Sequence, residues 1–348
     1  LSLPTPLEGL VLLALVALVA AVGVNAIVAP PNTWDAMTYH MPRVAHWWQN
    51  GTLANYRTGE VRQLVLSPGS EMAILHLQVL GGGDRFANMP QWLAMVGSIL
   101  AASVVARQLG APRRGQLLAA VFVATLPMGI LQASGTQNDY YAAFWVICLA
   151  HYSLTIARGG ASARSALLLG ASLGLAILAK GSSYMYALPF CLWVAVVCLW
   201  RLRLRAWKPG LLISLSALVL LGGYYARNLQ TFGSPNGLSG HAAWISQAVR
   251  NEKVSVSATA SNVVRNLALH LATRCEAHNE AVARAVTGLH DWLGLDVDDP
   301  QITFRNSRFR LHRITHNDGT DGNFVHVIVA AASLPLLLWP SVRRRGQC

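Results

Sequence analysis

The stretch PPNTWDAMTYHMPRVAHWWQNG holds an acid, a phenol, a guanidinium and two imidazoles: Asp35, Tyr39, Arg43, His40 and His46. On a helix Asp35, Tyr39 and Arg43 step by four residues and share a face, and His46 joins them at a three-residue step. Such a set could exchange a proton with a hydroxyl beside a bound anion. A plain amphipathic helix with an acid in its first turn accounts for the same spacing. A second carboxylate, Asp139, lies in SGTQNDYYAAF, where it reads as a helix cap or as the companion of Asp35. Lys180, in LAKGSSY, reads as a snorkelling side chain or as an anion ligand. Arg227 and Asn228 close another apolar run, and Arg62 and Glu71 flank the short apolar stretch Ser70–Leu80. His316, Asp318 and Asp321 occur in THNDGTDGN, which could bind a divalent metal, although Asp/Gly-rich strings more often form turns.

The elements that must position these groups are membrane helices. Of 348 residues, 53% are hydrophobic and 12% charged, about half the charge of a soluble domain. Apolar runs of spanning length recur between Arg, Gly and Pro residues. Eight spans are expected: Leu10–Val28, Phe86–Ala106, Gly115–Ala133, Tyr140–Ala157, Ser165–Ala179, Ser183–Trp200, Gly210–Ala226 and Phe324–Pro340. Pro127 and Pro189 fall inside two of them, where membrane helices tolerate proline. Leu10–Val28 lacks a basic leader and is expected to be retained; Leu1 implies an earlier or processed start.

Ser70–Leu80 is too short to cross and is expected to lie at the membrane surface. That choice gathers Arg107, Arg113, Arg114, Arg158, Arg164, Arg201, Arg203, Arg205, Lys208 and Arg343–Arg345 on one side, with Glu8 as the exceptional acid there. The positive-inside rule makes that side cytoplasmic, with both termini there. The net charge of +12 is then an orientation signal and needs no nucleic-acid partner. The fold class expected is an all-α polytopic membrane protein of about eight spans, with surface helices in a long first outer loop and a second long outer segment. The parts are a first helix (1–28), an outer loop with the acid Asp35 (29–85), a core of six spans (86–226), an outer segment (227–323) with helical stretches near Ala242–Arg250 and Asn262–Leu293, and a last helix with a basic tail (324–348). The five cysteines form no disulfide framework and no CxxC metal motif. Only His151 and His326 are ionisable groups within spans, which disfavours a transporter, where mid-membrane charge is expected.

An aspartate soon after the first helix, a surface helix introduced by Ser67-Pro68-Gly69 and a second acid between spans three and four resemble the GT-C superfamily. These are transferases that use polyprenyl-phosphate sugars; they include the protein O-mannosyltransferases, the lipid A aminoarabinose transferases and bacterial family-39-like proteins. WDAMTYHMPRVAHWWQNGTLANY, SPGSEMAILHLQVLGGGDRFANMPQWLAMVGS, PMGILQASGTQNDYYAAFWV, AKGSSYMYALPF and RNLQTFGSPNG look like the bacterial branch, over roughly residues 30–240. Many relatives have His-Pro-Pro where this chain has Ser67-Pro68-Gly69, and members commonly continue beyond an eighth helix, so a compact member or a part of a longer chain is expected.

The resemblance implies a membrane glycosyltransferase of the bacterial inner (plasma) membrane, with its active site on the periplasmic side. Its partners would be a polyprenyl-phosphate sugar donor and a lipid, glycan or protein acceptor. Asp35 would be the general base in an inverting transfer, Asp139 would orient the acceptor or a divalent ion, and Lys180 and Arg227 would hold the lipid phosphate. Tyr39, His40, Arg43, Arg62 and Glu71 would support them. No cofactor is certain; Asp35, Asp139, His316 and Asp318 are the candidate ligands for a divalent metal. A lipid-linked-sugar flippase and an inactive scaffold of the same fold are the alternative readings.

Overall fold

A computed structural model describes residues 3–237, 251–303, 307–314 and 322–337. All its elements are helical, and no strand occurs among the described residues. Four helical runs are long and apolar enough to cross a membrane: Pro6–Val28, Asp84–Gln108, Asp139–Gly159 and Ser183–Phe232. The chain forms two compact units, Leu1–Thr125 with Gln132–Gly237, and Leu126–Leu131 with Leu238–Cys348.

In the first unit α1 (Pro6–Val28) starts on a capping box: Thr5 Oγ1 accepts from the Glu8 amide at 3.3 Å, and Glu8 Oε2 accepts from the Thr5 amide at 3.0 Å. It ends before Pro30 and Pro31, which cannot extend it. A π-helical turn (Ala36–His40) leads into α2 (Met41–Asn50), and a single turn, α3 (Arg62–Val65), precedes α4 (Gly69–Gly81). Ser70, Glu71, Ile74 and Gln78 give α4 one buried face. The helical core is α5 (Met89–Gln108), α6 (Arg113–Ala124), α8 (Asp139–Gly159), α9 (Ala163–Ala179), α10 (Ser183–Leu202) and α11 (Trp207–Phe232).

The single span expected over Gly115–Ala133 is divided. Helix α6 stops at Ala124, and Pro127 opens a separate turn, α7 (Pro127–Gln132), because proline disfavours the α conformation in the residue before it. Pro189, by contrast, sits within an unbroken α10. The 50-residue run Ser183–Phe232 folds back at the basic turn Arg203–Ala206, where Arg203 takes a positive φ of 50°.

Helix α9 is the inner member of the core and packs between α8 and α11. Small residues allow it: a Cβ on Gly170 would strike the backbone of Ile213, and one on Gly174 would come within 3.1 Å of the Ala217 backbone. Close backbone approach through small residues is how membrane helices gain packing energy without a hydrophobic driving force.

Helix direction sorts the charges along this unit. The Tyr141 amide, at the start of α8, donates to Gln91 Oε1, at the start of α5, at 2.7 Å. Asp139 therefore lies at the end where α5 begins. Arg107, Arg113 and Arg114, where α5 ends and α6 begins, lie at the other end, with Glu8 within 3.8 Å of Arg113 and 3.9 Å of Arg114.

The second unit includes α12 (Val256–Leu269), α13 (Glu276–Trp292) and α14 (Phe324–Leu337). The helical stretch expected near Asn262–Leu293 is two helices, separated at His270–Cys275, where the Asn279 side chain bonds both the amide and the carbonyl of Thr273. Ser261 Oγ meets His290 Nε2 at 2.9 Å in the buried contact between the two helices. Of the stretch Ala242–Arg250, and of His316, Asp318 and Asp321, nothing falls within the described residues.

Candidate active site

Asp35 stands immediately before the π-helical turn. Such turns insert one residue and re-aim the side chains around them. The turn is tied down by Gln63, whose Nε2 donates to the Thr38 carbonyl at 2.9 Å while its Oε1 accepts from Tyr56 and Thr58. The displaced register separates groups that a regular helix would align. Asp35 and Tyr39 point to Arg62; His40 and Arg43 turn inward to Glu71; His46 stacks on Tyr56 at 4.0 Å between ring centroids.

The Asp35 carboxylate is part-exposed, with Arg62 Nη1 3.7 Å away. The Tyr39 phenol stands beside it. Burial first, and the neighbouring carboxylate second, push the Tyr39 phenol well above its ordinary pKa, so it remains neutral. Arg62 is gripped at 2.8 Å by each oxygen of Glu60 and lies over the Tyr39 ring at 4.9 Å. The motif reading did not single out Glu60; a two-residue separation in a loop carries no periodic signal.

Beneath this lies a buried ionic group. Glu71 is fully buried, and its Oε1 is 3.0 Å from His40 Nδ1 and 3.1 Å from Arg43 Nη1. Its Oε2 accepts from Ser70 at 2.9 Å. Burial alone would raise the Glu71 carboxyl, but the Arg43 guanidinium, and after it the contact with His40, outweigh it and hold the group down at about 2. Arg43 is 1% exposed and donates also to the carbonyls of Arg62, Gln63, Ser67 and Leu66. One guanidinium thus gathers the backbone from α3 to the start of α4. Among the described residues, His40 Nε2 is buried without a hydrogen-bond partner.

Asp139 and Lys180 form a second charged centre at the same end of the unit. Lys180 Nζ lies 2.5 Å from Asp139 Oδ1. The pair sits at the mouth of a groove of about 720 Å³ between α8 and α10, with Ser182 and Tyr186 beside it and Ala143, Val146, Ile147 and Phe190 along the wall. The Asn138 side chain donates to the Ala179 carbonyl at 3.0 Å, fixing the Asp139 turn to the end of α9. Gln137 Nε2 donates to Thr33 Oγ1 at 3.2 Å, and that oxygen also accepts from the Ala36 amide. The two acids therefore stand two residues from either side of one hydrogen bond, each with its own cation.

Arg227 stands apart from both carboxylates. It donates to the Leu53 carbonyl at 2.8 Å and lies 5.8 Å from the Trp47 ring centroid, while Arg43 lies 5.7 Å from the same ring. Tyr224 and Asn228 bond the Val65 carbonyl, so the end of α11 holds the outer loop. Among the described residues no three of His, Cys, Asp and Glu cluster as a metal-ligand set.

The arrangement offers a part-exposed carboxylate beside a neutral phenol and a cation, and a polar mouth on an apolar groove. Residues 72–224 match the family model described as dolichyl-phosphate-mannose-protein mannosyltransferase. No curated protein and no solved structure gives a significant match.

Proposed function

We propose that this chain, a membrane glycosyltransferase of the GT-C superfamily by its match over residues 72–224, moves a sugar from a polyprenyl-phosphate donor to an acceptor hydroxyl. The single observation that carries the donor class is the Lys180–Asp139 pair at the mouth of the apolar groove. A hydrocarbon chain suits the wall of that groove, and a phosphate suits the lysine at its head.

In this reading Asp35 is the general base. Its carboxylate takes the proton of the acceptor hydroxyl, the hydroxyl oxygen bonds to the anomeric carbon, and the bond from that carbon to the phosphate oxygen breaks. The electron pair leaves with the polyprenyl phosphate, whose charge Lys180 stabilises, and the configuration inverts. Tyr39 and Arg62 flank Asp35 and aim its carboxylate. Asp139 positions Lys180 and, once phosphate has engaged the lysine, orients the acceptor. His40, Arg43 and Glu71 are positioning residues beneath the loop, and Arg227 holds the loop's far side.

We further propose eight spans as drawn from the sequence, with α9 as a short buried one and α6 with α7 completing another. The basic end would be cytoplasmic, carrying both termini, and the Asp35–Asp139 end periplasmic, in a bacterial inner membrane. The charge bias supports that orientation.

The test is incubation of the purified protein with radiolabelled polyprenyl-phosphate sugars. Label should leave the lipid, and Asp35→Asn should abolish the release. Uptake of the labelled lipid into vesicles without release of sugar would replace this reading with a flippase.

A further inference from the structure

A second apolar groove opens at the end of the first unit away from Asp139. It has a volume of about 540 Å³ and runs between α1, α5 and α6. Leu12, Val16 and Val19 line it from α1, Ile99 from α5, and Leu117 and Ala120 from α6. Its floor is closed by Trp92, whose indole N–H donates to the Val19 carbonyl at 2.9 Å and whose ring rests where a Cβ on Gly23 would be. From Glu8 to Ala20, the limits of its lining on α1, a helix rises about 18 Å. That is the depth of one leaflet, about half of a 30 Å hydrocarbon core.

The open end is charged. Glu8 and Arg113 line it, and Arg114 stands beside them with its side chain 80% exposed. Both arginines approach Glu8, at 3.8 and 3.9 Å, so the mouth sets two guanidinium groups beside one carboxylate. Arg113 and Arg114 are also the first residues of α6, where the helix dipole favours an anion.

We infer that this groove binds one acyl chain of an anionic phospholipid, with its phosphate on Arg113 and Arg114. A hydrocarbon slot one leaflet deep, closed below and basic above, has the complementarity of that ligand. Basic pockets between spans on the cytoplasmic side are known to take such headgroups. The basic mouth lies across the length of α5 from Asp139, about 30 Å for its 20 residues, so phosphate binding there does not depend on the proposed transfer reaction.

Native mass spectrometry of the full chain in mild detergent tests it, with added phosphatidylglycerol or phosphatidylcholine. Phosphatidylglycerol should be retained at least tenfold better, and Arg113→Gln with Arg114→Gln should erase that preference. Glu8→Gln keeps a side chain able to complete the capping box and should strengthen retention severalfold. Val16→Trp, at an exposed lining position, should expel both lipids with the arginines intact. Equal retention of the two lipids, undiminished binding by Val16→Trp, or weakened binding by Glu8→Gln would each overturn the inference. So would a second copy of the chain found in place of lipid.

Discussion

Lys180 Nζ lies 2.5 Å from Asp139 Oδ1, although the lysine ends α9 and the acid begins α8. The pair is part-exposed, so its ionic bond contributes little to stability, and its value lies in where it holds the ammonium. Lys180→Ala should lower kcat/KM for a polyprenyl-phosphate sugar by about a hundredfold, with a rise in KM, because the phosphate loses its fixed cation. Lys180→Arg should recover part of the loss. Steady-state release of labelled sugar at varied donor concentration reads both effects; an unchanged donor KM in Lys180→Ala would remove the phosphate from this groove.

Asp35 has a different environment and a different expected signature. Replacing a general base costs about 10²–10⁴-fold in rate, so Asp35→Asn should lower kcat by that range with little change in donor KM. Tyr39→Phe removes the phenol beside the carboxylate and should cost about tenfold. Single-turnover transfer separates the two variants from Lys180→Ala. Loss confined to KM in Asp35→Asn would make Asp35 a binding group and not the base.

The candidate site residues stand out in the sequence because their types are rare in so apolar a chain. The side chains that share a contact were not. A four-residue step aligns Asp35, Tyr39 and Arg43 only on a regular helix, and the π turn at Ala36–His40 breaks that register. No short-range pattern announces such a turn, since its stabilising partner, Gln63, lies far along the chain. Helix α4 was legible from its length between Ser67-Pro68-Gly69 and Gly81-Gly82-Gly83. Its burial of Glu71 was not, because an acid beside an N-terminal cap ordinarily faces water. Apolar runs gave the core helices to within a few residues, except where Pro127 divides α6 from α7.

Glu71 sets a pH dependence of stability. Its carboxyl is held near 2 in the folded protein against an ordinary 4.5. The folded state therefore gains stability from this group above about 4.5 and loses it as pH falls toward 2. Glu71→Gln leaves Arg43 buried without its counter-ion and should cost about 3–5 kcal/mol, while flattening the acid limb. Thermal unfolding in detergent between pH 5 and 2, wild type against Glu71→Gln, measures both. Identical acid limbs would mean that another carboxylate governs that window.

Gly69 joins the start of α4 to the groove. Ser67-Pro68-Gly69 introduces that helix, and a Cβ at Gly69 would stand 2.8 Å from the Leu178 carbonyl oxygen. That carbonyl belongs to the last turn of α9, two residues before Lys180. The first turn of α4 therefore rests directly on the backbone that delivers the lysine, and any side chain at 69 must push the two apart. The displacement needed is a few tenths of an ångström or more, small for the fold and large for a phosphate contact, since a shift of about 1 Å can cost about a hundredfold in rate. Gly69→Ala should lower kcat/KM for the lipid-linked donor by about tenfold, with only a small loss of thermal stability. Gly83→Ala, just past the far end of the same helix, with extended backbone and open space around it, should leave the donor KM unchanged. If both variants lose activity in proportion to their stability, the contact serves folding alone; if only Gly69→Ala loses donor affinity, the start of α4 sets the position of Lys180.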